Sequence, residues 1–249
     1  MRQFSLWVVM VGALAVSLGF AATPMQVQVP KGLPALPVPA DNPMTVEKVE
    51  LGKLLYFDTR LSKDKTISCA TCHSPEHAYA EPKATSEGIA GQFGERNANT
   101  VLNSAYATSD FWDGRAAHLE EQAGGPVENP IEMGHDFNAV VKDLKKVPEY
   151  VKRFKDVFGE EISKDNITKA IAAFERTLLS GNAPYDKGTM SDDAKAGELI
   201  FKGKGLCATC HTPPVFSNWG FYNAGIGMDK PKPDTGRMQV TGLETDKGA

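Results

Sequence analysis

Apolar positions along the chain recur mostly with a helical period, and strand-like alternation of useful length is absent. Thr45 to Phe57 reads as a first helix. Ser68 caps a short one that is ended at Pro75. Ala116 to Ala123 forms another, stopped by Gly124 and Gly125, and Asn138 to Lys146 a fourth. Pro148 suits the first turn of a helix whose Tyr150, Val151, Phe154, Val157 and Phe158 make one apolar stripe before Gly159. Ser163 caps the strongest helix, with Ile167, Ile171, Phe174 and Leu178 on one face and Gly181 at its end. A last helix runs from its cap at Ser191 through Phe201. These stripes are core-facing, and together they predict an all-α fold with long loops. Between the helices, Pro24, Pro30, Pro34, Pro37, Pro39 and Pro43 favour an extended arm over residues 23–44 rather than a packed element. Gly88, Gly91 and Gly94 write a loop over 86–97, where site residues concentrate.

One apolar run breaks the helical pattern. Leu6 to Phe20 follows Arg2, has the length of a signal-peptide core and ends in the small residues Gly19, Ala21 and Ala22. Residues 1–21 therefore read as a cleaved export signal that directs the protein to the periplasm. A retained anchor, the alternative, needs ~20 apolar residues. Over the 249 residues, 27 basic and 31 acidic side chains leave a net charge of −4 without any Lys/Arg block, which excludes nucleic acid as an expected partner.

Cysteine placement changes the picture most. The four cysteines fall in Cys69-Ala-Thr-Cys72-His73 and Cys207-Ala-Thr-Cys210-His211. Two disulfides are the plain expectation for an exported chain, but every cysteine sits in a pair three apart and each pair runs directly into a histidine. A zinc site built from both pairs would bring them within about 20 residues, whereas 134 residues separate Cys72 from Cys207. A thioredoxin-like motif would need a βαβ context, which is missing here. Covalent haem attachment remains. Residues i and i+3 share a helix face, so two thiols meet the two vinyl groups of one porphyrin, and the adjacent imidazole reaches the iron. Two motifs 138 residues apart, Cys69 to Cys207, suggest two cytochrome c-like haem domains, 22–182 and 183–249, with a boundary near 180–189.

The motifs that lie between the two CxxCH sequences carry a resemblance. Arg96-Asn97 to Asn103, Phe111-Trp112-Asp113-Gly114-Arg115, Glu120-Glu121-Gln122-Ala123-Gly124-Gly125-Pro126 and Asn129-Pro130-Ile131-Glu132-Met133-Gly134, in this order, resemble the bacterial dihaem cytochrome c peroxidases and their methylamine-utilisation relatives. The resemblance runs from about Pro34 to the end of the chain. It implies that His73 is the proximal ligand of a peroxide-binding haem and His211 that of a higher-potential haem that accepts electrons from a small cytochrome c or cupredoxin. Trp112 falls at the tryptophan between the haems, and Gln122 and Glu132, ten and twenty residues later, fall at distal-pocket positions. Asn97 matches a side-chain ligand of a calcium between the domains. A homodimer is compatible with the same resemblance.

The chemistry asks for such residues independently. Cleaving a peroxide O–O bond requires moving a proton from the inner to the outer oxygen, and a carboxylate such as Glu132 serves as base and then acid. An amide such as that of Gln122 orients an oxygen or a water without titrating. Three classes of function follow: a peroxidase fed by a donor protein, an enzyme that uses peroxide to oxidise residues of a partner protein, and a dihaem electron carrier, which would need neither Glu132 nor Gln122. His77, His118 and His135, the other histidines, read as surface or hydrogen-bonded groups rather than haem ligands. Two departures from the family pattern stand out. Ile89, eight residues before Asn97, occupies the place of a histidine that blocks the peroxidatic haem in some relatives. The chain also ends 38 residues after His211, short of the segment that in relatives supplies a second axial ligand and two calcium ligands, so the C-terminal haem domain reads as truncated. Nothing in their spacing promotes Met228 or Met238 to that ligand.

Overall fold

The computed structural model describes residues 22–249; the apolar run Leu6–Phe20, read as an export signal, lies outside the described residues. The described chain is helical: α1 (Val46–Tyr56), α2 (Cys69–Cys72), α3 (Leu119–Glu128), α4 (Phe137–Leu144), α5 (Pro148–Phe158), α6 (Lys164–Glu175), α7 (Pro184–Lys187), α8 (Asp192–Lys202) and α9 (Met238–Thr241), joined by long loops with short 3₁₀ turns. Extended pairing among the described residues is confined to isolated bridges such as Ser74 with Ala80 and Glu87 with Phe93. Among the described residues no helix is long and apolar enough to cross a membrane.

The core is the crossing of α1 and α6, with α3, α4 and α5 around it. Thr45 caps α1 by accepting from the Lys48 N–H, and Ser163 caps α6 by accepting from that of Asn166. Leu51, Leu55, Ile167 and Ile171 are wholly buried, each adding roughly 1.5–3 kcal/mol. Gly52 sets the depth of the crossing, because a Cβ there would overlap the Ala170 carbonyl. The Pro148 start and the Gly159 stop of α5, the latter at φ +71°, follow the sequence reading.

Three elements differ from that reading. α3 is not stopped by Gly124 and Gly125 but runs through them and Pro126 to Glu128. The two glycines serve close approach instead: a Cβ on Gly125 would press on the Phe111 ring, and one on Gly124 would touch Lys164 and Thr168. Pro126 removes one helical donor, but the helix ends two residues later, and the carbonyls of Pro126 and Val127 accept from the N–H groups of Met133 and His135 at 3.2 and 2.7 Å. α6 stops at Glu175 rather than continuing through Leu178 to Gly181: its last turn tightens, with the Thr177 and Leu178 N–H groups donating to the Phe174 and Glu175 carbonyls, both at 2.9 Å, and the Asn103 N–H takes the Leu178 carbonyl at 2.9 Å. Finally, the proline-rich arm is extended but packed. Met25 and Val27 lie against the core, the Met25 N–H donates to the Met44 carbonyl at 3.0 Å, and the Tyr106 hydroxyl donates to the Pro34 carbonyl at 2.9 Å.

α8 is of another character. None of its residues is buried, and Leu199 is 76% exposed with Ile200 and the following Leu206 also open. The C-terminal stretch is tied back by Arg96 to Asp234 and by Arg237, which donates to the Asp113 carbonyl at 2.9 Å.

Candidate functional site

Ser68 opens α2 with its backbone N–H donating to Thr71 Oγ1 at 3.0 Å, and this turn presents both Cys69 and Cys72 to a cavity of about 400 Å³. That volume lies within the range of small-molecule and cofactor pockets. No disulfide joins any two of the four cysteines. Burial raises the Cys69 thiol well above its ordinary range and Cys72 to about 11, so neither is ionised. His73, next in sequence, borders the same cavity. Its Nδ1 lies 2.9 Å from the Asn99 carbonyl and 3.3 Å from that of Tyr79; carbonyls only accept, so Nδ1 carries the proton and Nε2 has the free lone pair. Burial lowers the His73 pKa against the pull of these two carbonyls, which keeps the ring neutral. The tight loop through Ala78 and Tyr79, both at positive φ, brings the Tyr79 carbonyl back to the ring.

The cavity is closed by the loop 86–101, by residues 110–115 and by α3 with the turn that follows it. Trp112, Gln122 and Glu132, distant in sequence, all border it. Glu132 is held by Asn129, whose Nδ2 donates to Oε1 at 2.8 Å, and by the Ile89 N–H, which donates to its backbone carbonyl at 2.8 Å. Burial raises the Glu132 pKa, and the Asn129 hydrogen bond and the Arg115 charge only partly oppose this. Trp112 is 55% exposed and donates its indole N–H to the Asn97 carbonyl at 2.8 Å. Asn97 donates its amide to the carbonyls of Glu81 and Lys83, and no cluster of three His, Cys, Asp or Glu side chains gathers for a metal among the described residues. Ile89 is buried against Gly134 and does not border the cavity.

Several bordering residues have no role in the sequence reading. Arg96 bridges Asp113 at 2.7 Å and Asp234 at 2.7 and 2.8 Å, while Arg115 also holds Asp113 and stacks on Phe111 at 3.5 Å. Asp110 and Glu175 complete the wall. The signal for Glu175 was present in the sequence: it sits four residues after Ile171 and eight after Ile167, a carboxyl in an apolar stripe. The other histidines lie elsewhere. His118 caps α3, His135 is buried near Asp143, and His77 ends a 3₁₀ turn.

The second motif sits in a 3₁₀ turn, Cys207–Thr209, after α8. Its His211 repeats the pattern of His73, with Nδ1 3.2 Å from the Phe216 carbonyl. Phe201 lies 6.4 Å from the His211 ring and 6.0 Å from Phe216, which meets Tyr185 edge-on at 5.0 Å. Leu199 and Leu206, in the same stretch of chain, are exposed. Met228 lies against Gly248, and Met238 opens α9.

At each motif, then, two thiols on one turn stand beside an imidazole whose Nδ1 meets a backbone carbonyl, and at the first they share a cavity with a carboxyl and an amide. That donor set fits haem. The fold and this site define an all-α protein with paired haem-type motifs. Residues 46–195 match the model of the di-haem cytochrome c peroxidase family, and the chain belongs to that family. It is 41% identical over 226 residues to cytochrome c peroxidase Ccp of Escherichia coli (strain K12), covering 86% of this chain and 48% of the relative. It is 42% identical over 200 residues to methylamine utilization protein MauG of Methylorubrum extorquens, covering 77% and 57%. The crystal structure of a MauG-like protein associated with microbial copper homeostasis superposes with a TM-score of 0.78 at 30% identity, covering 90% of this chain and 73% of that one. The chain spans about half the length of the curated relatives it matches.

Proposed function

We propose that this chain, exported to the periplasm, binds two haem c groups and reduces hydrogen peroxide to water with electrons from a small cytochrome c or cupredoxin. Cys69, Cys72 and His73 hold the first haem, in a unit spanning 22–182. Cys207, Cys210 and His211 hold the second, in a unit spanning 183–249. A calcium ion with Asn97 as one ligand belongs to the same reading. The observation that carries it is the single cavity bordered by the first motif together with Trp112, Gln122 and Glu132.

Bound there, the haem supplies the electron transfer to peroxide. The protein's part is proton handling and orientation. Glu132 is half-buried, desolvation raises its pKa, and Asn129 fixes its Oε1. A carboxyl so poised takes the proton from one peroxide oxygen and returns it to the other, so that water leaves. Gln122 orients the peroxide or a water through its amide without changing charge. Trp112, half exposed and anchored at its indole nitrogen, lies on the route by which electrons enter or leave the cavity.

Oxidation of a partner protein by the same site is the second reading. Ile89 favours it, since a distal position without a histidine admits peroxide before any electron arrives. The carrier reading is disfavoured by the carboxyl of Glu132 on the cavity border, which electron transfer alone does not use.

The test is mass spectrometry of acid-extracted protein followed by turnover with peroxide and a panel of reduced donors. Two added haem masses are expected. Glu132→Gln keeps both and loses turnover by ~10²–10⁴. Free thiols or disulfides in place of haem would end the proposal, and unchanged turnover would remove Glu132 from it.

A further inference from the structure

Reduction of one peroxide consumes two electrons and two protons beyond those that peroxide carries, and Glu132 can only relocate protons already in the cavity. Two other carboxyls border it, Asp110 and Glu175. Glu175 is 5% exposed and its Oε2 has no hydrogen-bond partner. The nearby cations are engaged elsewhere. Arg176 makes a two-point bridge to Glu120 at 2.6 and 2.9 Å, and Lys48 donates to Asn42 Oδ1 and the Pro43 carbonyl, both at 2.8 Å. Glu175, buried with no counter-ion of its own, resists ionising, and more so when Asp110 carries its charge.

We infer that Asp110 and Glu175, coupled through their charges across the wall of the cavity and not by a hydrogen bond, are the group through which the cavity takes up a proton from solvent when its haem gains an electron. The inference rests on the proposed binding of haem at the first motif. In each step one electron arrives from the one-electron donor and one proton from water. The O–H bond of a solvent water breaks, its hydroxide stays in the solvent, the proton forms an O–H bond on a carboxylate oxygen of the pair, and the net charge of the cavity is unchanged. Asp110 is the outer member, only partly buried and facing the exposed His118. Glu175 is the inner one. It is faced by Tyr56 of α1, Cys69 of α2, Asp110, Glu120 of α3 and the adjoining Arg176. Burial and the Asp110 charge push Glu175 up to about 8 against the Arg176 charge. Burial likewise pushes Asp110 up to about 6, with His118 and Arg176 opposing.

The experiment is a spectroelectrochemical titration of the haem-loaded protein between about pH 5 and 9, with infrared difference spectra of oxidised and reduced forms. One of the two midpoint potentials is expected to fall as pH rises, approaching ~59 mV per tenfold change in proton activity. Reduction should strengthen the carbonyl stretch of a protonated carboxyl. Glu175→Gln abolishes both effects, whereas Glu132→Gln keeps the slope. Asp110→Asn shifts the sloping region to lower pH and serves equally if Glu175→Gln does not fold. A protein with both haems whose potentials are flat with pH, or a slope unchanged in Glu175→Gln and Asp110→Asn, overturns the inference and leaves the peroxidase reading standing. Absence of the haems themselves refutes that reading instead.

Discussion

Replacing Arg176 by Met removes one half of the best-buried ion pair in the protein. The guanidinium of Arg176, 3% exposed as a residue, holds both oxygens of Glu120 at 2.6 and 2.9 Å and so clamps α6 to α3, the helix that carries Gln122. Removing one partner of a buried pair costs ~3–5 kcal/mol, because the remaining charge stays desolvated. Asn42 still donates to Glu120 Oε1 at 2.7 Å, which places the expected loss at the lower end, about 3 kcal/mol. In urea this lowers the unfolding midpoint by about 1 M, read from far-ultraviolet circular dichroism of the haem-loaded protein. The pH dependence carries a sign. In the native protein burial raises Glu120, but the hydrogen bonds of Arg176 and Asn42 and the Arg176 charge outweigh it and leave its pKa below the ordinary value of 4.5. The pair's stabilisation is therefore present above the unfolded pKa and lost as pH falls through the lower folded one. Without Arg176, burial wins and Glu120 titrates above its ordinary value, so the deficit of Arg176→Met is largest near neutrality and shrinks on acidification. Arg176→Met with Glu120→Gln should recover most of the loss. A single variant within 1 kcal/mol of wild type, or a double variant no better than the single one, would refute the reasoning.

Gly52→Ala should cost ~1–3 kcal/mol or more in the same assay, since the new methyl meets the Ala170 backbone carbonyl rather than a side chain that can move. The oxidised haem-loaded protein should show one high-spin ferric signal in electron paramagnetic resonance and react with peroxide before any reduction, because Ile89, His118 and His135 all lie outside the border of the first cavity. Two low-spin signals, with no reaction until a reductant is added, would mean that another group fills the distal position.

Helix α5 was legible end to end in the sequence because both of its boundaries rest on local backbone chemistry, Pro148 at the start and left-handed Gly159 at the stop. Ser191 and Ser163 gave the starts of α8 and α6 for the same reason. Gly124 and Gly125 misled because a glycine that ends a helix and one that admits a neighbour look alike in a sequence; the Phe111 ring that Gly125 admits is fourteen residues away. The course of the chain after α6 was hidden likewise, since Leu178 and Ser180 are held by the distant Asn103. At the site, the cysteines and their histidines are visible as a spacing, whereas Trp112, Gln122 and Glu132 needed the resemblance. Asp110, Arg96 and Glu175 join the cavity only through tertiary packing, and a buried carboxyl such as Glu175 is outweighed in the pattern by the apolar neighbours that bury it.

The crossing of α1 and α6 also sets an order of events. Gly52 and the Ala170 it meets are 118 residues apart, so bringing them together closes a loop whose length-dependent entropic cost is about 4 kcal/mol. Contacts of such long range slow folding. Residues 67–73, 86–101 and 110–133, which furnish nearly all of the cavity border, lie within that loop. Their enclosure waits on the meeting of its ends. Until then Cys69 and Cys72 sit on an open stretch of chain, and afterwards they border an enclosed cavity. On the proposed function, the late closure of the loop would leave an interval in which the two thiols are accessible for attachment, and Gly52 sits at the contact that ends it.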